Sequence, residues 1–188
     1  MLATRNEHKA REFAPLLAPH EVVALAADVR LPPETGTTFA ENALDKARTA
    51  AAATGALSFA DDSGITAEAL GGAPGVYSAR FAGEHATDEE NLAKLVREAA
   101  ADSGLAYVCA IALVDPQTGA ETLFEGRCTG RMATVPRGNG GFGYDPCFLP
   151  DAAPAPAGRT MAELSPAEKD AISHRGRAAR ALLAHLGA

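Results

Sequence analysis

The chain has 188 residues with 17 Lys and Arg against 24 Asp and Glu, a formal net charge of −7. That length suits one domain burying about 70% of its extended surface, so neither a disulfide nor a structural metal is required for folding. Overall acidity excludes a protein that coats nucleic acid or an anionic membrane, yet leaves room for a small polyphosphate held by a local cluster of cations.

Residues 1–4 read as the stub of an apolar strand, followed by Asn6 as a helix N-cap. Ala10, Phe13, Ala14 and Leu17 recur at helical spacing behind it, and Pro19 closes the element. Residues 21–25 read as a short strand, and residues 32–36 as a turn-rich loop. Thr38 and Glu41 have capping-box spacing and open an Ala-rich helix that ends near Gly55. A compact strand at 57–60 runs into Asp61-Asp62-Ser63-Gly64, and residues 65–70 follow before a Gly-rich corner at 71–75. Thr87 and Glu90 repeat the capping box ahead of an apolar stripe of Leu92, Leu95, Val96 and Ala99. Residues 106–114 and 121–128 are two long strands joined by a turn at 116–119. A glycine-dense loop occupies 138–146, a Pro/Ala surface loop 150–158, and Ser165-Pro166-Ala167-Glu168 opens the C-terminal helical region. The expectation is an α/β fold on a mixed sheet.

Cys109, Cys128 and Cys147 are odd in number, widely spaced and without a CxxC, which reads as buried small hydrophobes in a reducing compartment. The first residues lack the apolar core of a signal peptide, and the longest apolar run falls far short of the ~20 residues of a membrane helix. A cytoplasmic protein is expected.

Four segments carry chemistry. Thr4, Arg5, Asn6, Glu7, His8 and Lys9 lie where strand meets helix; side-chain donors, free N–H groups and Lys9 one turn in are suited to an anion. Read alone, Asn6 serves equally well as a plain cap with Lys9 solvated, and no Walker pattern is present. Asp61 and Asp62 leave an apolar strand, where paired carboxylates repel and lose hydration unless a cation or proton offsets them. Magnesium suits such a pair, since it takes one or two carboxylates plus waters and phosphate oxygens; an Asx turn at Asp62 is the alternative. Upstream, Glu34 is within reach of a metal from its loop, Lys46 of phosphate from its helix, and Glu41 either caps or binds metal.

Gly140-Gly141-Phe142-Gly143-Tyr144-Asp145-Pro146 surrounds one aromatic with small residues, which lets a ring stack on a flat ligand while Asp145 accepts from its N–H groups; a tight hairpin with a core Phe is the alternative. Lys169-Asp170-Ala171-Ile172-Ser173-His174-Arg175-Gly176 places two cations around a histidine, near a break at Gly176. Together these segments describe a nucleoside triphosphate site drawn from both halves of the chain.

Six motifs occur in order: Thr4-Arg5-Asn6 to Lys9, Thr35-Gly36 through Glu41-Asn42-Ala43, Ala60-Asp61-Asp62-Ser63-Gly64, Leu70-Gly71-Gly72-Ala73-Pro74-Gly75-Val76-Tyr77-Ser78-Ala79-Arg80, Gly141-Phe142-Gly143-Tyr144-Asp145-Pro146, and Lys169 through Ser173-His174-Arg175-Gly176. Across essentially the whole chain they resemble the inosine/xanthosine triphosphate pyrophosphatases, which hydrolyse non-canonical purine nucleotides.

The resemblance implies one domain over residues 1–188: an elongated central mixed sheet with flanking helices, two lobes around an active-site cleft, assembled as a homodimer. It implies hydrolysis of ITP, dITP or XTP to monophosphate and pyrophosphate with Mg²⁺. Carried over by position, Thr4, Arg5, Asn6, Glu7, His8, Lys9 and Lys46 meet the phosphates. Asp62 is general base and metal ligand, with Asp61 and Glu34 near the metal. Ser63 touches substrate; Phe142, Gly143, Tyr144 and Asp145 hold the base; Lys169, His174 and Arg175 complete its recognition. The family's usual glycine in the first motif is Arg5 here, and only Met1-Leu2-Ala3 precede that motif. Two rival readings are a phosphatase with Asp61 as covalent nucleophile, which lacks its Asp-x-Asp spacing, and a non-catalytic nucleotide sensor.

Overall fold

The computed structural model describes residues 1–151 and 158–187, with only the backbone of Glu7 and His8 described. Its helices and strands run α1 (Glu7–Leu16), α2 (Phe39–Thr54), β1 (Ser58–Ala67), α3 (Asp88–Glu98), β2 (Gly104–Val114), β3 (Glu121–Met132), β4 (Phe148–Pro150), α4 (Pro166–Ile172) and α5 (His174–Leu186). Among the described residues the strands form one sheet in the order β1-β2-β3-β4. β3 pairs antiparallel with β4, Arg131 facing Leu149, while Leu2 bridges in parallel to both Ala24 and Phe59. The expected α/β class with a mixed sheet therefore holds. No helix among the described residues is long and apolar enough to cross a membrane.

Local chemistry accounts for the helix boundaries. Asn6 Oδ1 accepts from the Lys9 N–H at 3.2 Å and caps α1. Reciprocal capping boxes start three more helices: Thr38 with Glu41 at α2, Thr87 with Glu90 at α3, and Ser165 with Glu168 at α4. α2 stops at Gly55, whose φ of +63° closes the last turn through its N–H to the Ala51 carbonyl.

The chain divides into two compact units. The first comprises residues 1–62, 109–126 and 176–188. One of its cores joins Phe13 and Leu17 of the N-terminal segment to Phe59, Ile111 and Leu182. The other packs the alanine face of α2 (Ala43, Ala47, Ala50 and Ala51) with Ala60, Ala112 and Val114. Small side chains on both faces let the helix backbone lie close to the strands, which keeps polar groups of α2 within reach of β1. The second unit comprises residues 63–108 and 127–175, with a core of Ile65, Leu95, Leu105, Tyr107, Met132, Phe148 and Met161. Each fully buried residue of this size contributes roughly 1.5–3 kcal/mol.

Several expectations need correction. Residues 1–4 and 21–25 are not regular strands: among the described residues they pair through the Leu2 bridges, the Leu2–Val23 and Leu25–Leu2 backbone hydrogen bonds, and the Ala3–Phe59 and Phe59–Met1 bonds to β1. The short strand at 57–60 and the segment from 65 are one continuous strand, so Asp61-Asp62-Ser63-Gly64 lies inside β1 and forms no Asx turn. Sheet pairing overrides the turn preference of those residues. The C-terminal break falls at Ser173, and Gly176 lies within α5. β4 is an additional strand after the glycine-dense loop. Most of the Pro/Ala segment, residues 152–157, lies outside the described residues.

Candidate functional site

In the first unit, two adjacent carboxylates stand on β1. Successive side chains of a strand point to opposite faces, so Asp61 and Asp62 meet different partners. Asp61, 1% exposed, receives Lys9 of α1 at 3.0 Å and lies 4.0 Å from Cys109 Sγ on β2. Asp62, 5% exposed, faces α2. Its Oδ2 accepts from Asn42 Nδ2 at 2.8 Å, and its Oδ1 stands 3.9 Å from Lys46 Nζ. Asn42 and Lys46 are one helical turn apart, so the same face of α2 presents both. Lys46 Nζ also donates to Glu34 Oε1 at 2.5 Å.

Burial is the largest influence on Asp62 and raises its pKa above the usual aspartate value, against the opposing pull of Lys46. Lys46 is pulled down by burial, but Asp62, Asp61 and Glu34 together outweigh that and hold it above the ordinary lysine value. It remains an ammonium.

Glu41 has a different task. Its Oε2 accepts from the Thr37 N–H, the Thr37 hydroxyl and the Thr38 N–H, which lowers its pKa and assigns it to the cap. Thr4 Oγ1 accepts from the Asn6 N–H at 3.1 Å, so both residues shape the start of α1. The Arg5 guanidinium donates to the carbonyls of Leu25, Ala26, Ala27 and Val29, gathering that loop around itself. Sequence reasoning offered phosphate for Arg5 and missed this clamp. The side chains of Glu7 and His8 lie outside the described atoms.

The carboxylates suit a hard divalent cation. Asp62, Glu34 and Asp61 are oxygen donors, and the raised pKa of Asp62 marks a buried charge that added positive charge would stabilise. Among the described residues no group of three or more His, Cys, Asp or Glu forms a metal-holding cluster. Magnesium does not demand one, because it keeps waters and takes substrate phosphate oxygens.

In the second unit, the glycine-dense loop folds around Asp145, 3% exposed. Asp145 Oδ2 accepts from Lys169 Nζ at 2.8 Å and from the Phe142 N–H at 3.1 Å, and its Oδ1 accepts from the Tyr107 hydroxyl at 3.0 Å. Asp145 thus anchors the loop internally. Gly141, at φ +70°, passes so close that a Cβ there would clash with Asp145 Oδ2. Tyr144 donates its hydroxyl to the Ser78 carbonyl at 2.7 Å, and the Gly143 N–H donates to Asp88 Oδ2 at 3.0 Å. These bonds leave Phe142 half-buried beneath two cations, with Lys169 Nζ 5.0 Å and Arg175 Cζ 5.9 Å from its ring centroid. Arg175 Nη2 donates to Ser63 Oγ at 2.9 Å, and His174 begins α5 directly beside it.

The structure therefore gathers Glu34, Lys46 and Asp62 with Asn42, pairs Lys9 with Asp61, and groups Phe142, Asp145, Lys169, Arg175 and Ser63. Sequence reasoning gave no role to Asn42 or Tyr107. Asn42 had a readable signal, one turn before Lys46; Tyr107 had none, being one aromatic in an apolar strand.

A model of the Ham1 family matches residues 1–185. A dITP/XTP pyrophosphatase of Mycolicibacterium paratuberculosis is 48% identical over 97% of this chain and 93% of its own length. One from Ralstonia nicotianae is 48% identical over 99% and 95%. Among solved structures, a HAM1 protein from Coxiella burnetii is 42% identical with a TM-score of 0.87, covering 98% of this chain and 96% of that one. The Staphylococcus aureus Ham1 protein is 37% identical with a TM-score of 0.84 over the same shares.

Proposed function

Because the chain belongs to the Ham1 family, we propose that it hydrolyses deaminated purine nucleoside triphosphates (ITP, dITP and XTP) to the monophosphate and pyrophosphate, and so clears them from the nucleotide pool. The reading rests on one observation above the others: a buried carboxylate of raised pKa, Asp62, oriented by Asn42 and facing the Lys46 ammonium. A carboxylate so raised is a stronger base than an ordinary aspartate.

Asp62 orients a water toward the α-phosphorus and accepts its proton as the O–P bond forms. The bond to the β-phosphate breaks, and Lys46 and Lys9 offset charge on the departing pyrophosphate. Asp62 and Glu34 would hold Mg²⁺, with Asp61 adding negative charge from the other face of β1; the ion would neutralise phosphate charge that would otherwise repel the water. Thr4 and Asn6 serve this end of the substrate through the start of α1 and its N–H groups. Phe142 stacks on the purine, and His174 and Arg175 donate to its 6-carbonyl. Adenine offers an amino donor at that position, and donor facing donor leaves buried groups unpaired, a mismatch able to reject a substrate by several powers of ten.

The three buried cysteines, which form no disulfide, fit a reducing, cytoplasmic compartment, and the family resemblance supports a homodimer. The decisive assay incubates the protein with ITP, XTP, GTP and ATP, with and without Mg²⁺, in ¹⁸O-water. Pyrophosphate and labelled monophosphate, formed from ITP and XTP only with the metal, are expected. Label in pyrophosphate, or release of inorganic phosphate, would instead support a phosphatase; tight binding without product would support a sensor.

A further inference from the structure

Tyr107 touches two members of the base-reading group, His174 and Asp145. It sits on β2 at 7% exposure, in a mostly apolar core that it shares with Tyr144. One face of its ring lies parallel to the His174 imidazole, with centroids 4.7 Å apart and planes 9° from parallel. It also packs against Phe148, at 4.7 Å and 34°. Its hydroxyl donates to Asp145 Oδ1 at 3.0 Å, while the other oxygen of that carboxylate holds Lys169 and the Phe142 N–H.

A phenylalanine would supply the same packing without placing a polar group in the core. Burying a hydroxyl is unfavourable unless it is hydrogen-bonded, and Asp145 meets that requirement. Burial and the Asp145 charge push the Tyr107 pKa well above that of an ordinary phenol, so the group stays protonated and remains a donor. Two orientations are fixed at once: the plane of His174 by stacking, and the carboxylate of Asp145 by the hydroxyl. With Oδ1 held, Oδ2 stays directed at Lys169 and the Phe142 backbone, which in turn sets the ring of Phe142 beneath Lys169.

We propose that Tyr107 is a specificity-determining positioning residue: it locks His174 and the Asp145–Lys169–Phe142 group into one arrangement, and that arrangement selects the purine. This rests on the reading above that His174 and Phe142 face the base. The contacts of Tyr107 among the described residues are to His174, Phe148 and Asp145 and not to the phosphate-handling groups, so its effect is confined to base binding and discrimination.

The test measures steady-state ITP and ATP hydrolysis and thermal melting for wild type, Tyr107→Phe, Tyr107→Leu and His174→Ala. Tyr107→Phe keeps the ring and its packing. It is expected to raise KM for ITP about five- to tenfold, keep kcat within about twofold, and lower the ITP-over-ATP preference by a similar factor, with the melting midpoint lowered by only a few degrees as Asp145 Oδ1 loses its donor. Tyr107→Leu, which also removes the stack on His174, is expected to lower the preference further. If His174→Ala loses the preference while Tyr107→Phe retains both KM and preference, the positioning role is overturned and the base-reading assignment stands. If His174→Ala also retains them, the base-reading assignment falls and the role of Tyr107 with it. A Tyr107→Phe variant that melts early and loses kcat with its preference intact shows a purely structural residue, which overturns the proposal.

Discussion

Asn42 holds Asp62 with one end of its amide and the loop before α2 with the other. Nδ2 donates to Asp62 Oδ2 and Oδ1 accepts from the Gly36 N–H, each at 2.8 Å. The loop backbone passes so close that a Cβ on Gly36 would fall 2.7 Å from Asn42 Oδ1. The carboxylate and the Glu34-bearing loop are thereby oriented from one side chain. Asn42→Ala is expected to lower kcat about tenfold to a hundredfold, more than its effect on KM, because Asp62 loses its fixed orientation. Pyrophosphate release, with circular dichroism to confirm the fold, checks this.

Asp62→Asn keeps the shape of the side chain and removes its basicity. A loss of about 10²–10⁴ in kcat is expected, with helix content and melting close to wild type. An unchanged rate would remove Asp62 from its assigned role.

Arg5 offers a sharper contrast. Its guanidinium engages four loop carbonyls, so Arg5→Ala is expected to lower thermal stability by about 1–3 kcal/mol while leaving KM for ITP within about twofold. A large rise in KM with intact stability would make Arg5 a phosphate ligand instead.

A pH effect follows from Glu168 in the first turn of α4, the residue before Lys169. Arg159 first, then the N–H and hydroxyl of Ser165, lower its pKa from 4.5 to about 2. A carboxylate depressed in the folded state stabilises the protein at pH values above its unfolded pKa, and that contribution disappears as pH falls from about 4.5 toward about 2. Glu168→Gln should therefore be less stable than wild type at neutral pH, and the gap should narrow across that window. Thermal melts at a series of pH values would show this; a gap constant with pH would refute it.

Much of the chemistry was legible in sequence because it is local. The capping residues of α2, α3 and α4 declare themselves within four positions, and the Asp61-Asp62 pair, the Phe142 loop and the Lys169–Arg175 run each stand out by composition. What was hidden is non-local. Asp61-Asp62-Ser63-Gly64 has the composition of a turn, and only its sheet partners make it strand. Asn42 and Asp62 meet across twenty positions, and Tyr107 reaches Asp145 across thirty-eight. β4 has three residues, too few for periodicity to reveal. Arg5 looked like a ligand because its true partners are carbonyls, which carry no sequence signature.

The division into units has a practical meaning for dissection. The polypeptide passes from one unit to the other after residues 62, 108, 126 and 175, so neither is encoded by an uninterrupted stretch of gene. Asp62 and Ser63, neighbours joined by a single peptide bond, belong to different units. No truncation separates them cleanly, since even residues 63–175, which span the whole second unit, carry residues 109–126 of the first; isolating either would need rewired connectivity, with new linkers splicing its distant segments together.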